Sequence, residues 1–171
     1  IYHNIPTAFF SLEMADIELA DRLIGMESGL SSGKRKGKDK MEDYEWELLE
    51  KALARAAKAP LYIDETPGLT ITEFMSKIKR MVQERGIKIA FVDYLQLMHA
   101  SASLSQYRAL EIGEISRQLK ETAKELHIPI IALAQLNRNL MARQGSSNGR
   151  PVLSDLKDSG SIEQDADMVL F

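Results

Sequence analysis

Ile87-Lys88-Ile89-Ala90-Phe91-Val92-Asp93 is the stretch that decides the fold class of this 171-residue chain. It is nearly all apolar, rich in β-formers, and ends in a carboxylate. A half-buried strand alternates polar and apolar residues; a strand covered on both faces does not, and such strands belong to parallel sheets. Four other apolar runs read the same way, at residues 7–10, 61–63, 130–134 and 168–171. Helical periodicity separates most of them, over residues 16–25, 43–57, 70–85 and 108–126. The second helix carries Trp46, Leu49 and Leu53 at helical spacing. The third opens with Thr70 and Glu73 in capping-box spacing and continues with Phe74, Ile78 and Met81 on one face. The fourth places Ile112, Ile115, Leu119 and Leu126 together. Alternation of strands and helices predicts an α/β fold, a mostly parallel twisted sheet flanked by helices.

Open sheets of this kind bind ligands beyond the carboxyl ends of their strands. The residues expected there are Ser11-Leu12-Glu13 after the first strand, Asp64 after the second, Asp93 after the third and Gln135 after the fourth. An Asp at the end of a buried strand can hold Mg²⁺, often through water. A second carboxylate can orient an attacking water, and a neutral amide can register a phosphate without adding charge. The alternative is that strands simply end where polar loops begin. For Asp64, followed by Glu-Thr-Pro-Gly, a turn role is the better reading.

Composition narrows the function classes. Lys and Arg number 22 against 25 Asp and Glu, for a net charge of −3. This excludes a generally basic, nucleic-acid-coating protein, so any such contact must be local. There is no Cys, hence no disulfide framework and no thiolate metal site. No apolar run is long enough for a transmembrane helix, and the opening Ile-Tyr-His-Asn-Ile-Pro lacks the basic region of a signal peptide. The chain starts at Ile1 and stops within an apolar run, so residues 1–171 are expected to be part of a single larger domain.

Three loops carry charge. Residues 31–40 hold Lys34, Arg35, Lys36, Lys38 and Lys40 against Asp39 and read as a solvated surface loop. Residues 137–150 hold Arg138, Arg143 and Arg150 with no acid, directly after Gln135. They read either as a grip on nucleic-acid phosphates or as an ordinary mobile loop. Residues 155–167 are acidic on balance, leaving Lys157 and the backbone N–H groups around Ser159-Gly160-Ser161 for phosphate contact. No Gly-x-x-x-x-Gly-Lys-Ser/Thr phosphate loop occurs in the chain.

Five segments, in order, are together far more specific. Phe9-Phe10-Ser11-Leu12-Glu13-Met14 resembles the FFSLEM segment of bacterial replicative helicases of the DnaB type. Residues 62–69 resemble that family's YIDDTPGL, and Val92-Asp93-Tyr94-Leu95-Gln96-Leu97-Met98 its Walker B strand, VDYLQLM. Residues 134–138 resemble SQLNR, with Ala134 for the usual Ser, and residues 154–167 resemble SDLRESGSIEQDAD.

This resemblance implies a RecA-like motor domain, working as a homo-hexameric ring on single-stranded DNA in the cytoplasm, at the nucleoid, with ATP and Mg²⁺ between subunits. By family role, Glu13 polarises water, Asp93 holds Mg²⁺, and Gln135 contacts the γ-phosphate and couples it to the DNA loops. Lys157, Asp158 and Gly160 match positions that touch DNA. Lys157 and Asp158 replace the usual Arg and Glu, so a bidentate grip gives way to a point charge. The resemblance also implies a phosphate loop before Ile1 and an arginine finger after Phe171. Primase and loader would be met through regions outside the chain, and the isolated piece would be inactive. Two alternatives stay open: a non-catalytic RecA-like module that binds DNA or partners, and a recombinase, against which the wording of the motifs argues.

Overall fold

The computed structural model describes residues 3–100, 107–136, 152–153 and 160–171. Strands β1 (Thr7–Ser11), β2 (Leu61–Asp64), β3 (Ile89–Asp93) and β4 (Ile130–Ala132) form one sheet in the order β2-β1-β3-β4. Every neighbouring pair is parallel, with Ala8 beside Tyr62 and Ala90, and Ala90 beside Ile130. The helices are α1 (Asp16–Ser28), α2 (Ser32–Arg35), α3 (Asp43–Lys58), α4 (Ile71–Arg85), α5 (Arg108–Leu126) and α6 (Gly160–Asp165).

Helix boundaries follow local chemistry. Thr70 caps α4: its hydroxyl accepts from the Glu73 N–H at 3.2 Å, and the Glu73 carboxylate accepts from the Thr70 N–H at 2.9 Å, completing the expected capping box. At the other end Gly86, at φ 65°, turns the chain out of the helix as a residue without a Cβ can. Helix α1 lacks a side-chain cap of its own, and Glu65, in the loop after β2, accepts from the Asp16 N–H at 2.7 Å instead.

The core lies on one face of the sheet. Ala8, Phe10, Ala90 and Val92 point into it and are fully buried, against Phe74 and Ile78 of α4 and Ile112, Ile115 and Leu119 of α5. Phe10 and Phe74 meet with ring centroids 4.6 Å apart at 60°. The predicted apolar stripes of α4 and α5 are the ones that bury. The opposite face of the sheet is only half covered: Phe9 and Phe91 stack there at 5.9 Å, and Ile131 is 44% exposed.

Four readings of the sequence need correction. Residues 168–171 form no strand; Met168, Leu170 and Phe171 are exposed, and no described strand lies beyond β4 to pair with them. The β3 run is sealed on one face, chiefly by α4 and α5, and half-buried on the other. The Trp46–Leu49–Leu53 stripe of α3 does not form the buried face: Trp46 and Leu53 are exposed, while Glu45 and Ala52 are buried. The basic loop at 31–40 contains a helical turn, α2, which turns two of its cations inward. Lys34 pairs with Glu45, and Arg35 pairs bidentately with Asp21 at 3.0 Å.

Candidate functional site

The strand order places the site. The chain leaves β1 for β2 on one side, then crosses back past β1 to β3 and on to β4. With the usual right-handed crossovers, connections running in opposite directions lie on opposite faces, so a crevice opens between the carboxyl ends of β1 and β3. Ser11 and Asp93 are paired in register at that point. The Leu12 N–H donates to the Asp93 carbonyl at 2.8 Å, extending the pairing one residue past the strand. The buried Ser11 hydroxyl then donates to the Met14 carbonyl at 2.7 Å, closing the turn that carries Glu13. Glu13 is exposed and Asp93 half-buried. Among the described residues, nothing hydrogen-bonds or ion-pairs with either carboxylate.

Beside them, β4 delivers Gln135. The Leu133 N–H donates to the Val92 carbonyl, and the Leu95 N–H to the Leu133 carbonyl, both at 2.9 Å. These bonds tie the two strand ends together. Gln135 is exposed, and its backbone is gripped by the Gln96 side chain. Reading the sequence for site residues passes over Gln96. The signal was present: it is the polar residue inside the otherwise apolar Leu95–Leu97 turn.

Asp64 sits at the same edge but off the site. Its strand is outermost, next to β1 only. Its carboxylate accepts from the Thr66 N–H at 3.1 Å and pairs with Lys77 of α4 at 2.6 Å. Burial pushes its pKa up, but Lys77 and Thr66 outweigh that and hold it below the ordinary carboxylate range. The turn role expected of Asp64 is what the structure contains. Because the folded pKa is depressed, the pair contributes stability above the unfolded pKa and loses it as pH falls. Lys77→Met is expected to cost about 1–2 kcal/mol at pH 7. The difference from wild type should shrink as pH falls below about 4, the ordinary carboxylate value, toward the depressed pKa of folded Asp64. Denaturant unfolding at the two pH values measures both.

Among the described residues, no group of three or more His, Asp or Glu gathers as a metal cage. A lone unpartnered Asp at a strand end suits Mg²⁺, which keeps most of its waters and takes further oxygens from a phosphate ligand. Gly160 begins α6, which lies closely along α5; a Cβ on Gly113 would stand 3.2 Å from the Ser161 hydroxyl. Lys157, Asp158, Arg138, Arg143 and Arg150 lie outside the described residues. No described helix is long and apolar enough to cross a membrane.

Comparison with known proteins agrees with this fold. The model of the DnaB-like helicase C-terminal domain matches residues 1–171. The replicative DNA helicase DnaB of Mycobacterium intracellulare is 43% identical over all of this chain, which covers 29% of that relative. That of Geobacillus stearothermophilus is 41% identical over 98% of the chain and 36% of the relative. The chain thus spans about a third of the length of these curated relatives. A solved ATPase domain superposes with a TM-score of 0.87 at 33% identity, covering 97% of this chain and 58% of that one. A DnaB-like replicative helicase, described with its interactions with primase, superposes equally well, with a TM-score of 0.87 at 34% identity over 97% of this chain and 39% of that one.

Proposed function

The chain belongs to the DnaB-like helicase C-terminal domain family and has its RecA-like fold, and from that premise we propose that it is the motor part of an ATP-driven replicative DNA helicase. The observation that carries this reading is the pair of carboxylates, Glu13 in the turn after β1 and Asp93 at the end of β3, which have no partner among the described residues and flank the switch point, with Gln135 following β4. Asp93 would hold Mg²⁺, which when bound neutralises charge on the ATP phosphates. Glu13 accepts a proton from the attacking water and aims it at the γ-phosphate. Gln135 offers a neutral amide whose hydrogen bond to the γ-phosphate distinguishes ATP from ADP. Its position directly before residues 137–150 suits a signal passed toward DNA. The phosphate loop and the arginine finger are assigned to sequence outside these residues, as are the contacts to primase and loader. ATP would lie between subunits of a homo-hexameric ring, acting on single-stranded DNA in the cytoplasm at the nucleoid.

Lys157, Asp158, Gly160, Arg138, Arg143 and Arg150 are the proposed DNA contacts. In the full-length protein, Lys157→Ala is expected to weaken single-stranded DNA binding and to flatten the log-affinity against log-salt slope by about 0.7. An unchanged slope removes Lys157 from the contact set. The test of the function as a whole is DNA-stimulated ATPase together with strand displacement by the full-length protein. DNA binding without either activity would favour the non-catalytic module, and strand exchange would favour a recombinase.

A further inference from the structure

Gln96 stands in the turn that follows β3, and its side chain holds both backbone groups of one residue. The Gln135 N–H donates to Gln96 Oε1 at 3.1 Å, and Gln96 Nε2 donates to the Gln135 carbonyl at 3.4 Å. A carboxamide is suited to this, since it presents one acceptor and one donor side by side at the spacing of a backbone amide pair. A carboxylate in its place would keep the first bond and set a negative oxygen against the carbonyl.

The grip continues into the fold. The Gln96 carbonyl accepts from Arg108 in the first turn of α5, and Arg108 pairs with Glu111, whose other oxygen accepts from the Ala100 N–H at 3.1 Å. Glu111 is 3% exposed, so the carboxylate end of this anchor is shielded from water, where charged hydrogen bonds hold geometry best, while Arg108 is partly exposed. Gln96 therefore joins the exposed residue just after β4, through its side chain, to Arg108 and the buried Glu111 in the first turn of α5, through its own carbonyl.

We infer that Gln96 is a positioning residue for the proposed ATPase, holding the Gln135 backbone so that the Gln135 side chain meets the γ-phosphate in one geometry. This rests on the reading of Gln135 as the γ-phosphate contact. Gln96 itself touches neither substrate nor the reacting water. Its effect belongs in turnover and its stimulation by DNA rather than in ATP affinity, because a misplacement of the order of 1 Å can cost about 100-fold in rate.

The experiment is a double-mutant cycle in the full-length protein, reading kcat, KM for ATP, DNA stimulation and thermal midpoint for Gln96→Met, Gln135→Ala and the pair, with Gln96→Glu as a second probe. Gln96→Met removes both bonds at nearly constant volume. The expected result is a fall in DNA-stimulated kcat of about 10- to 100-fold, with KM and thermal midpoint nearly unchanged. The double variant should be no slower than Gln135→Ala alone, as for residues that act as one unit. Gln96→Glu, which keeps one bond but sets a negative oxygen against the Gln135 carbonyl, should also lower DNA-stimulated kcat with KM nearly unchanged. Wild-type kcat in Gln96→Met, while Gln135→Ala is impaired, overturns the inference and leaves the Gln135 reading standing. So does a fully additive double variant, or a rate loss that merely tracks a lowered thermal midpoint. Normal turnover in Gln135→Ala removes the sensor reading itself, and the inference with it. If Gln96→Met does not fold, Gln96→Glu carries the same four readouts.

Discussion

Replacing Glu13 by Gln in the full-length protein is expected to lower ATP turnover by at least about 100-fold while leaving ATP affinity unchanged. The substitution keeps the size and the hydrogen-bonding reach of the side chain and removes its capacity to take a proton. General-base contributions lie in the range of about 10²–10⁴. Binding is spared because Glu13 lies at the end of a turn closed by Ser11 and Met14, and by the Leu12–Asp93 backbone bond, none of which involves its carboxylate. Steady-state ATPase with an independent binding measurement separates the two effects. A loss of ATP binding with no separate effect on turnover would move Glu13 from chemistry to structure.

The second large effect is on stability. Phe74→Ala is expected to destabilise the fold by about 3–5 kcal/mol. That is a large share of the roughly 5–15 kcal/mol that holds a typical domain together. Phe74 is fully buried and packs at a tilt against Phe10, on the one face of the sheet that is sealed. The cavity would sit between α4 and β1, the strand that leads to Glu13. Helix α4 is pinned at both ends, by the Thr70–Glu73 box and by Gly86, so it has little freedom to collapse into the space. Phe74→Leu, which keeps most of the volume, should cost less than half as much. Equal costs for the two variants in denaturant unfolding would show that the site relaxes.

Much of this molecule is legible one element at a time. The capping box at Thr70, the apolar stripes of α4 and α5, and the limits of β1 to β3 to within two residues follow from rules that act over a turn of helix or a few strand residues. The polar residues that end the strands are equally local, and Ser11, Glu13, Asp64, Asp93 and Gln135 were all visible there. Local rules failed where a partner far along the chain sets the outcome. Trp46 and Leu53 have helical spacing, yet α3 buries Glu45, because Lys34 from α2 reaches that carboxylate. Residues 168–171 are as apolar as any strand and remain unpaired, since strand formation needs a neighbour as well as a composition.

By itself the sequence determined the α/β class, the parallel sheet and the family, because periodicity and motif order are properties of the chain alone. Only the tertiary structure decided which of the strand-end carboxylates lie near one another along the sheet edge. The order β2-β1-β3-β4 puts the turn carrying Glu13 and the end of the Asp93 strand side by side across the switch point and sends Asp64 to the edge, where Lys77 occupies it. It also brought Gln96 to the backbone of Gln135 across a separation of 39 residues. Such pairings are fixed by packing and by the satisfaction of backbone hydrogen bonds over long separations, and no short window of residues contains them.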